Sequence, residues 1–452
     1  MGRSSAVAVP TEDWVNAPDP EYKGSQAKHV VADPSGALTE FAATQAQASA
    51  YLAAHLIPGQ DWIDLLNRSS ALYVLGRTAE AFLWARLALD ARRTTSTLLN
   101  LAVILETSGR FRDAMPLIRE ANALDPSDPF AGSLLADSLV RSGDWAEGWS
   151  VHTRYHANWN FLRPFIPQWE GEDLHGRRVL VLAGGGYGDN VLFSRWIPRL
   201  KGAGAAHVTY LCHQTFAPLA RTLAGVDAVL ETSDGYTSAL DDVRPSDFDC
   251  FVSVLSLAGR FGVRVDSPPA TLVARRPYIH ADADRLRLRR LCLVRGATPV
   301  VGFCWRAGEH QMPRKHRTLS PDATVRILST QTRGGADWVS LVPDAAPPAG
   351  VSDRVSVLRP ALRDWADTAA VVACCDLVVT VDTGLAHLAG AMHVPTWVIL
   401  PGFSAWPYLL DRDDSPLYPT MRLFRNRGEG MAGAVSAVCD ALASTVPHRR
   451  AA

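Results

Sequence analysis

The sequence predicts an α-helical N-terminal array followed by two α/β lobes built on parallel sheets. Three observations predict it. Gly76, Gly109 and Gly143 recur at spacings of 33 and 34 residues, with the small residues Ala81, Ala114 and Gly148 five positions after each. From Val179, short apolar runs alternate with helix-length segments, and the alternation restarts at Pro299. Two strand–turn–helix junctions, Val179 to Asp189 and Leu377 to His387, stand nearly two hundred residues apart.

Length and charge bound the answer first. At 452 residues the chain exceeds one ordinary core, so two or three domains are expected. Its 45 basic and 46 acidic residues leave a net charge of −1, which gives no bulk attraction for nucleic acid. No apolar run approaches the roughly 20 residues needed to cross a bilayer. Seven cysteines are scattered, with no C-x-x-C pair, so a zinc site is not expected. Cys374 and Cys375 are read as small core residues.

Met1 to Lys28 is polar and carries Pro10, Pro18 and Pro20. It lacks the apolar core of a secretory signal and is read as the disordered leader of a cytoplasmic protein. Residues 29–160 hold the helical array. In each unit the glycine ends one helix, and the small residue lets the next pack closely. Leu124-Asp125-Pro126 closes the middle unit, and Leu38 to Leu56 reads as a degenerate helix pair. The pattern resembles the tetratricopeptide repeat, TPR. Such a stack has a concave surface suited to an extended peptide, or it caps the rest of the chain or forms a dimer.

Trp145 to Asn160 leads off the repeats, and Pro167 to Arg177 is a turn-rich connector. Strands are then expected at Val179–Ala183, His207–Leu211, Asp227–Leu230 and Phe248–Val254, with helices at Val191–Leu200 and Phe216–Leu223. A charged helix is expected at Asp282–Leu293. The second series has strands at Pro299–Trp305, Trp338–Val342, Leu377–Val381 and Thr396–Leu400. Strands alternating with helices imply parallel sheets covered on both faces, with ligands beyond the C-terminal strand ends.

Five motifs in order carry a more specific resemblance. They are the connector Pro167 to Gly176, the Gly186-Tyr187-Gly188-Asp189 junction, Trp365 to Ala370, Val381 to Gly390, and the stretch Trp406 to Arg425. Over roughly Trp145 to Arg425 the chain resembles bacterial tetratricopeptide-repeat glycosyltransferases related to the heptosyltransferase family, glycosyltransferase family 9. That resemblance implies a GT-B pair of Rossmann-like domains behind the TPR-like repeats. Residues 161–280 would form the acceptor-side lobe and residues 281–452 the nucleotide-sugar lobe. It also implies inversion at the anomeric carbon, a nucleotide-sugar donor as substrate, and no metal or other cofactor.

Individual residues suit that chemistry. Asp189, after the glycine loop Gly185, Gly186 and Gly188, matches the family's general base for the acceptor hydroxyl; the other reading is a helix-capping aspartate. Thr383 and Gly384 open a helix whose free N–H groups suit a departing diphosphate. Asp382 would touch the sugar or orient the loop. His387, one turn on, reaches phosphate or ribose, or packs beneath the site. Without a metal, cations must take up the diphosphate charge, with Arg317 first, then Lys315 and Arg306. Trp305 belongs to the same loop. Asp367 and Thr368 line a base or ribose pocket, or cap a helix. Two departures from the family pattern stand out: Gly184 and Gly185 replace a usual Glu-Gln, and Arg306 follows the tryptophan. The Asp282-Ala283-Asp284 triplet is read as surface rather than as a metal-binding D-x-D.

A protein acceptor recruited by the repeats is the leading expectation, with a lipid or polysaccharide acceptor second and a non-catalytic scaffold third. A homo-oligomer is possible in each case.

Overall fold

The computed structural model describes residues 45–55, 61–155, 165–233, 243–266, 276–293, 298–308, 317–332, 335–343, 346–358, 361–402, 404–426 and 430–444. The leader 1–28 and Lys315 lie outside them. The chain divides into two compact units. Among the described residues, the first holds 45–139 and 150–155, and the second holds 140–149 and 165–444.

The first unit is helical, opening with Gln45–Ala54 and then Trp62–Val74, Thr78–Ala91, Thr95–Thr107 and Phe111–Leu124. Local chemistry sets the ends. The Asp61 carboxylate accepts the N–H groups of Ile63 and Asp64, and Thr94 caps the helix Thr95–Thr107 through a reciprocal bond with Thr97. Gly76 and Gly109 both have φ of 78°, the left-handed conformation that ends a helix. The backbone N–H groups of Arg77 and Arg110 then donate to the carbonyls of Leu72 and Leu105, so the first helix of each hairpin ends alike. Ala81, Ala85, Ala114 and Ala121 are fully buried where neighbouring helices meet. Buried Asn100 ties one hairpin to the last, accepting from Ser69 and donating to Ser70.

The second unit carries two all-parallel sheets. Strands β1 (Arg178–Leu182), β2 (His207–His213), β3 (Ala228–Thr232) and β4 (Cys250–Ser253) lie in the order β3-β2-β1-β4. Strands β5 (Val300–Cys304), β6 (Asp337–Ser340), β7 (Val355–Ser356), β8 (Leu377–Val381), β9 (Thr396–Leu400) and β10 (Met421–Arg425) lie in the order β10-β9-β8-β5-β6-β7. Counted within its own lobe, the second sheet has the doubly-wound order 3-2-1-4-5-6, and the first has its opening 3-2-1-4. Continuous apolar runs such as Val179-Leu180-Val181-Leu182 are buried on both faces, as parallel strands require.

The expected strands appear within a residue or two of their limits, but β7 and β10 were not anticipated. The helix expected at Val191–Leu200 begins earlier, at Tyr187, and ends at Phe193. A 3-10 turn and a short helix starting at Pro198 follow, because proline fits the first position of a new helix rather than the interior of an old one. Phe216–Leu223 shrinks to one turn, Ala217–Ala220. The stretch after Trp145 is helical to Tyr155. Trp145 and Trp149 pack edge-on against Trp406, with centroids 5.7 and 5.2 Å away. The charged helix runs Ala283–Leu293, and Asp282 caps it by accepting the N–H of Arg285. No helix among the described residues is long and apolar enough to cross a membrane.

Candidate active site

Each sheet has a switch point where neighbouring strands leave in opposite directions, between β1 and β4 and between β5 and β8. The glycine loop follows β1, and the Asp382-Thr383 turn follows β8. Both motifs therefore sit at C-terminal strand ends beside a switch point, where such sheets hold ligands.

Asn190 builds the glycine loop. Its side chain accepts from the Gly184 N–H at 3.1 Å, donates to the Gly186 carbonyl at 2.9 Å, and is anchored by the Tyr210 hydroxyl at 2.8 Å. The Asp189 carboxylate accepts the Gly186 N–H at 2.7 Å, which is a capping bond and fixes the carboxylate's direction. Gly185 has φ of 64°, and a Cβ there would stand 2.5 Å from Asp189 Oδ2. A Cβ at Gly184 would stand 3.0 Å from Leu255 Cδ1. The two glycines that depart from the family's Glu-Gln are thus positions where this loop has little room for side chains.

The second lobe supplies the helix Gly384–Ala391. Thr383 occupies its N-cap position, but its side chain makes no capping bond; the hydroxyl lies 3.3 Å from that of Thr380. The Ala386 N–H bonds the Thr383 carbonyl at 3.0 Å, and the N–H groups of Gly384 and Leu385 are left to a ligand or water. Gly188 presses against this turn: a Cβ on it would stand 3.1 Å from Gly384 Cα and 2.8 Å from His387 Cδ2. Trp365 closes the other side, 2.8 Å from a Cβ placed on Gly384. The Trp365 ring also meets Tyr187 at 5.2 Å, and the Trp365 backbone N–H donates to the Thr215 carbonyl.

His387 is buried, and burial pushes its imidazole down to about 4, so it is neutral at pH 7. Its Nδ1 is hydrogen-bonded to the Tyr418 hydroxyl at 3.0 Å, which leaves Nε2 as the nitrogen for a ligand. Tyr418 in turn lies under Arg195, whose guanidinium stands 4.6 Å from that ring and 4.9 Å from Tyr278. Arg195 donates to the Leu417 carbonyl and the Tyr278 hydroxyl, and so joins the first lobe to the second.

Arg317 is engaged with Asp382. One nitrogen lies 3.2 Å from the carboxylate and donates to the Asp382 carbonyl at 3.0 Å. A planar fork with five donors keeps others for a phosphate. Arg306 is half-buried on the loop after β5, and its carbonyl accepts from the Cys304 thiol.

Two candidates have their side chains taken up by the protein itself. Trp305 shares the face of Val301 and Phe303 and packs in the outer core, its ring 5.5 Å from Phe303, because strand alternation continues through it. Asp367 is 3% exposed, with its two oxygens held by Arg285 at 2.9 Å and Arg363 at 3.1 Å. Burial opposes its charge, but the guanidiniums outweigh this and hold the carboxyl below its usual range. Asp367 locks the start of the helix Trp365–Val372, and the Thr368 hydroxyl donates to the Asp364 carbonyl. Asn190, Trp365, Tyr408, Tyr418 and Arg195 went unassigned in the sequence; all but Arg195 lie inside or beside the quoted motifs.

Residues 364–399 match the family model of glycosyltransferase family 9, heptosyltransferase. That span contains the whole turn from Asp382 to His387. The protein FlbA of Caulobacter vibrioides is 24% identical over 310 residues, covering 64% of this chain and 50% of that protein. The chain therefore spans about half the length of this curated relative. Solved structures with similarity include a glycosyl transferase family 9 protein of Veillonella parvula, at 13% identity and TM-score 0.44, covering 60% of this chain and 97% of that one. The E. coli heptosyltransferase WaaC with ADP-2-deoxy-2-fluoro heptose has 14% identity and TM-score 0.41, covering 58% and 98%. An O-GlcNAc transferase of Thermobaculum terrenum has 14% identity and TM-score 0.34, covering 89% and 86%. The segment that opens the second lobe's site thus matches the model of the same family that the sequence motifs resemble.

Proposed function

We propose that the chain is an inverting glycosyltransferase of GT-B type, which moves a sugar from a nucleotide sugar to a hydroxyl on a protein gathered by its helical hairpins. One observation carries this reading. The loop bearing Asp189 and the turn Asp382-Thr383-Gly384 leave the strand ends of two doubly-wound sheets and touch at Gly188 and Gly384.

In the proposed reaction the acceptor oxygen attacks the anomeric carbon while its proton passes to Asp189. The bond from that carbon to the diphosphate breaks, and the nucleoside diphosphate leaves. The first-turn N–H groups at Gly384, Nε2 of neutral His387 and the free donors of Arg317 receive its growing charge. These are fixed groups of the chain, so the reading includes no metal.

A thermal-shift screen of nucleoside diphosphates and their sugars finds the donor, because a ligand of the folded state raises its stability by mass action. Transfer is then measured with and without a chelator. Loss of turnover in chelator would reject the metal-free step. The family's heptosyltransferase description favours a second reading, a heptose passed to a lipid or polysaccharide. Transfer to glycolipid but to no protein acceptor would select it.

A further inference from the structure

Tyr418 is buried against the helix that carries His387. Gly390, one turn on from His387, makes room for it: a Cβ on Gly390 would stand 2.6 Å from Tyr418 Cδ1. The Tyr418 ring centroid is 5.7 Å from that of His387, and its hydroxyl lies 3.0 Å from Nδ1. Tyr408, in the 3-10 turn Trp406–Tyr408, stacks on the imidazole, centroids 5.8 Å apart and planes 19° from parallel. Two tyrosines thus hold the plane of the histidine ring. Phenylalanine at 418 would pack there with no hydroxyl to satisfy, so the buried oxygen calls for a reason.

The contact between hydroxyl and Nδ1 has two forms. Either Tyr418 gives its proton to a bare Nδ1, or a protonated Nδ1 gives to the tyrosine oxygen. The surrounding groups decide between them. Arg195, 4.6 Å from the Tyr418 ring, can only donate. It is held by the carbonyls of Leu192 and Leu417, at 3.1 and 3.0 Å, and by the Tyr278 oxygen at 3.1 Å. Tyr278 gives its own proton to the Val191 carbonyl at 3.1 Å. The cation beside Tyr418 makes the phenol a stronger donor and a weaker acceptor. Burial first, against the pull of Asp382, and Arg195 after it oppose a second proton on the imidazole. Nδ1 is thus the basic nitrogen that takes the phenol proton, and the neutral ring carries its own proton on Nε2.

Nε2 lies on the ring edge turned toward the first lobe. Its bonded neighbour Cδ2 stands 2.8 Å from a Cβ placed on Gly188. His387 shares its helix with the open N–H groups of Gly384 and Leu385. A bare Nε2 would repel a phosphate oxygen there, whereas Nε2–H bonds it. We propose that Tyr418 is a positioning residue that holds His387 in the Nε2–H form, so that a buried, uncharged histidine meets the diphosphate of a nucleotide sugar as a hydrogen-bond donor. The part played by the diphosphate rests on the glycosyltransferase reading above; the tautomer does not.

Two measurements test it, one without ligand. Nitrogen NMR of the full chain, isotope-labelled at histidine, reads the tautomer; the His387 signals are those lost in His387→Gln. The wild type shows a protonated Nε2 and a bare Nδ1, and Tyr418→Phe spreads the proton over both nitrogens. A wild-type Nδ1–H, or an unchanged tautomer in Tyr418→Phe, overturns the proposal. Should Tyr418→Phe fail to fold, the wild-type tautomer decides by itself. In calorimetry with ADP, GDP, UDP and CDP, Tyr418→Phe weakens the tightest of them about tenfold. Glutamine has no tautomer and keeps an N–H donor at the end of its side chain. In a His387→Gln background Tyr418→Phe therefore changes affinity by no more than about twofold. Equal affinity in wild type and Tyr418→Phe, or an equal loss in both backgrounds, also overturns it. If wild type binds none of the four, the nucleotide-sugar reading fails, and the tautomer measurement still decides the role of Tyr418.

Discussion

Gly188 of the first lobe lies directly against Gly384 of the second, so close that a Cβ on Gly188 would stand 3.1 Å from the Gly384 Cα. The helices Tyr187–Phe193 and Gly384–Ala391 thereby bring their first turns together. Gly188→Ala pushes the methyl into Gly384 and the His387 ring at once. The expected cost is about 1–3 kcal/mol of stability from overpacking. Transfer falls about a hundredfold, since a displacement near 1 Å misaligns reacting groups. Thermal unfolding and initial rates measure the two effects; an alanine variant with unchanged turnover would show the seam has no part in the reaction.

Gly185 makes room for Asp189. A Cβ at 185 would collide with the Asp189 carboxylate, on a backbone whose φ already disfavours alanine. Gly185→Ala should lower transfer in the same sense as Asp189→Asn, while nucleoside diphosphate affinity stays near wild type. Asp189→Asn itself should lose about 10²–10⁴ in rate if it removes the base. Single-turnover rates with calorimetry beside them separate chemistry from binding, and full turnover by Asp189→Asn would remove the base assignment.

His387 gives the molecule a pH signature. Burial lowers its folded-state pKa from 6.5 to about 4. The unfolded chain therefore binds a proton that the folded chain refuses between those values. Stability from this group is present above pH 6.5 and is lost as pH falls toward 4, a change on the order of 3 kcal/mol. Denaturant unfolding from pH 7 to pH 4, compared between wild type and His387→Gln, should show that slope in the wild type alone. Parallel curves would place the titration elsewhere.

Gly109 tests the helical unit separately. Its φ is 78°, and nothing lies within 4 Å of a Cβ placed there. Gly109→Ala should cost about 1 kcal/mol from backbone conformation alone, and Gly109→Asn less, because asparagine tolerates the left-handed region. A melt that ranks alanine equal to glycine would mean the helix end has rearranged.

Much of the architecture was legible in the sequence because it is local. Strand and helix alternation, the glycine loop, the Asp382-Thr383-Gly384 turn and the regular spacing of Gly76, Gly109 and Gly143 all depend on residues near one another in the chain. Backbone periodicity and left-handed glycine carry that information directly. The two-residue strand β7 is too short for a period to register. β10, Met421–Arg425, reads Met-Arg-Leu-Phe-Arg, too short and broken for a clear period, and lay inside a motif read for its resemblance.

Partner choice was decided only by the tertiary structure. Asp367 and Asp382 are both acids at the start of a helix or turn, and residue type alone does not tell which partners each takes. Folding gives Asp367 to Arg285 and Arg363, and Asp382 to Arg317. Trp305 likewise turns outward from the site because strand parity assigns its face. The sequence by itself determined which backbone segments present glycines, acids and open helix ends; packing between distant segments determined which side chains meet there, because a buried charge or ring takes its partners from whatever the chain brings alongside it.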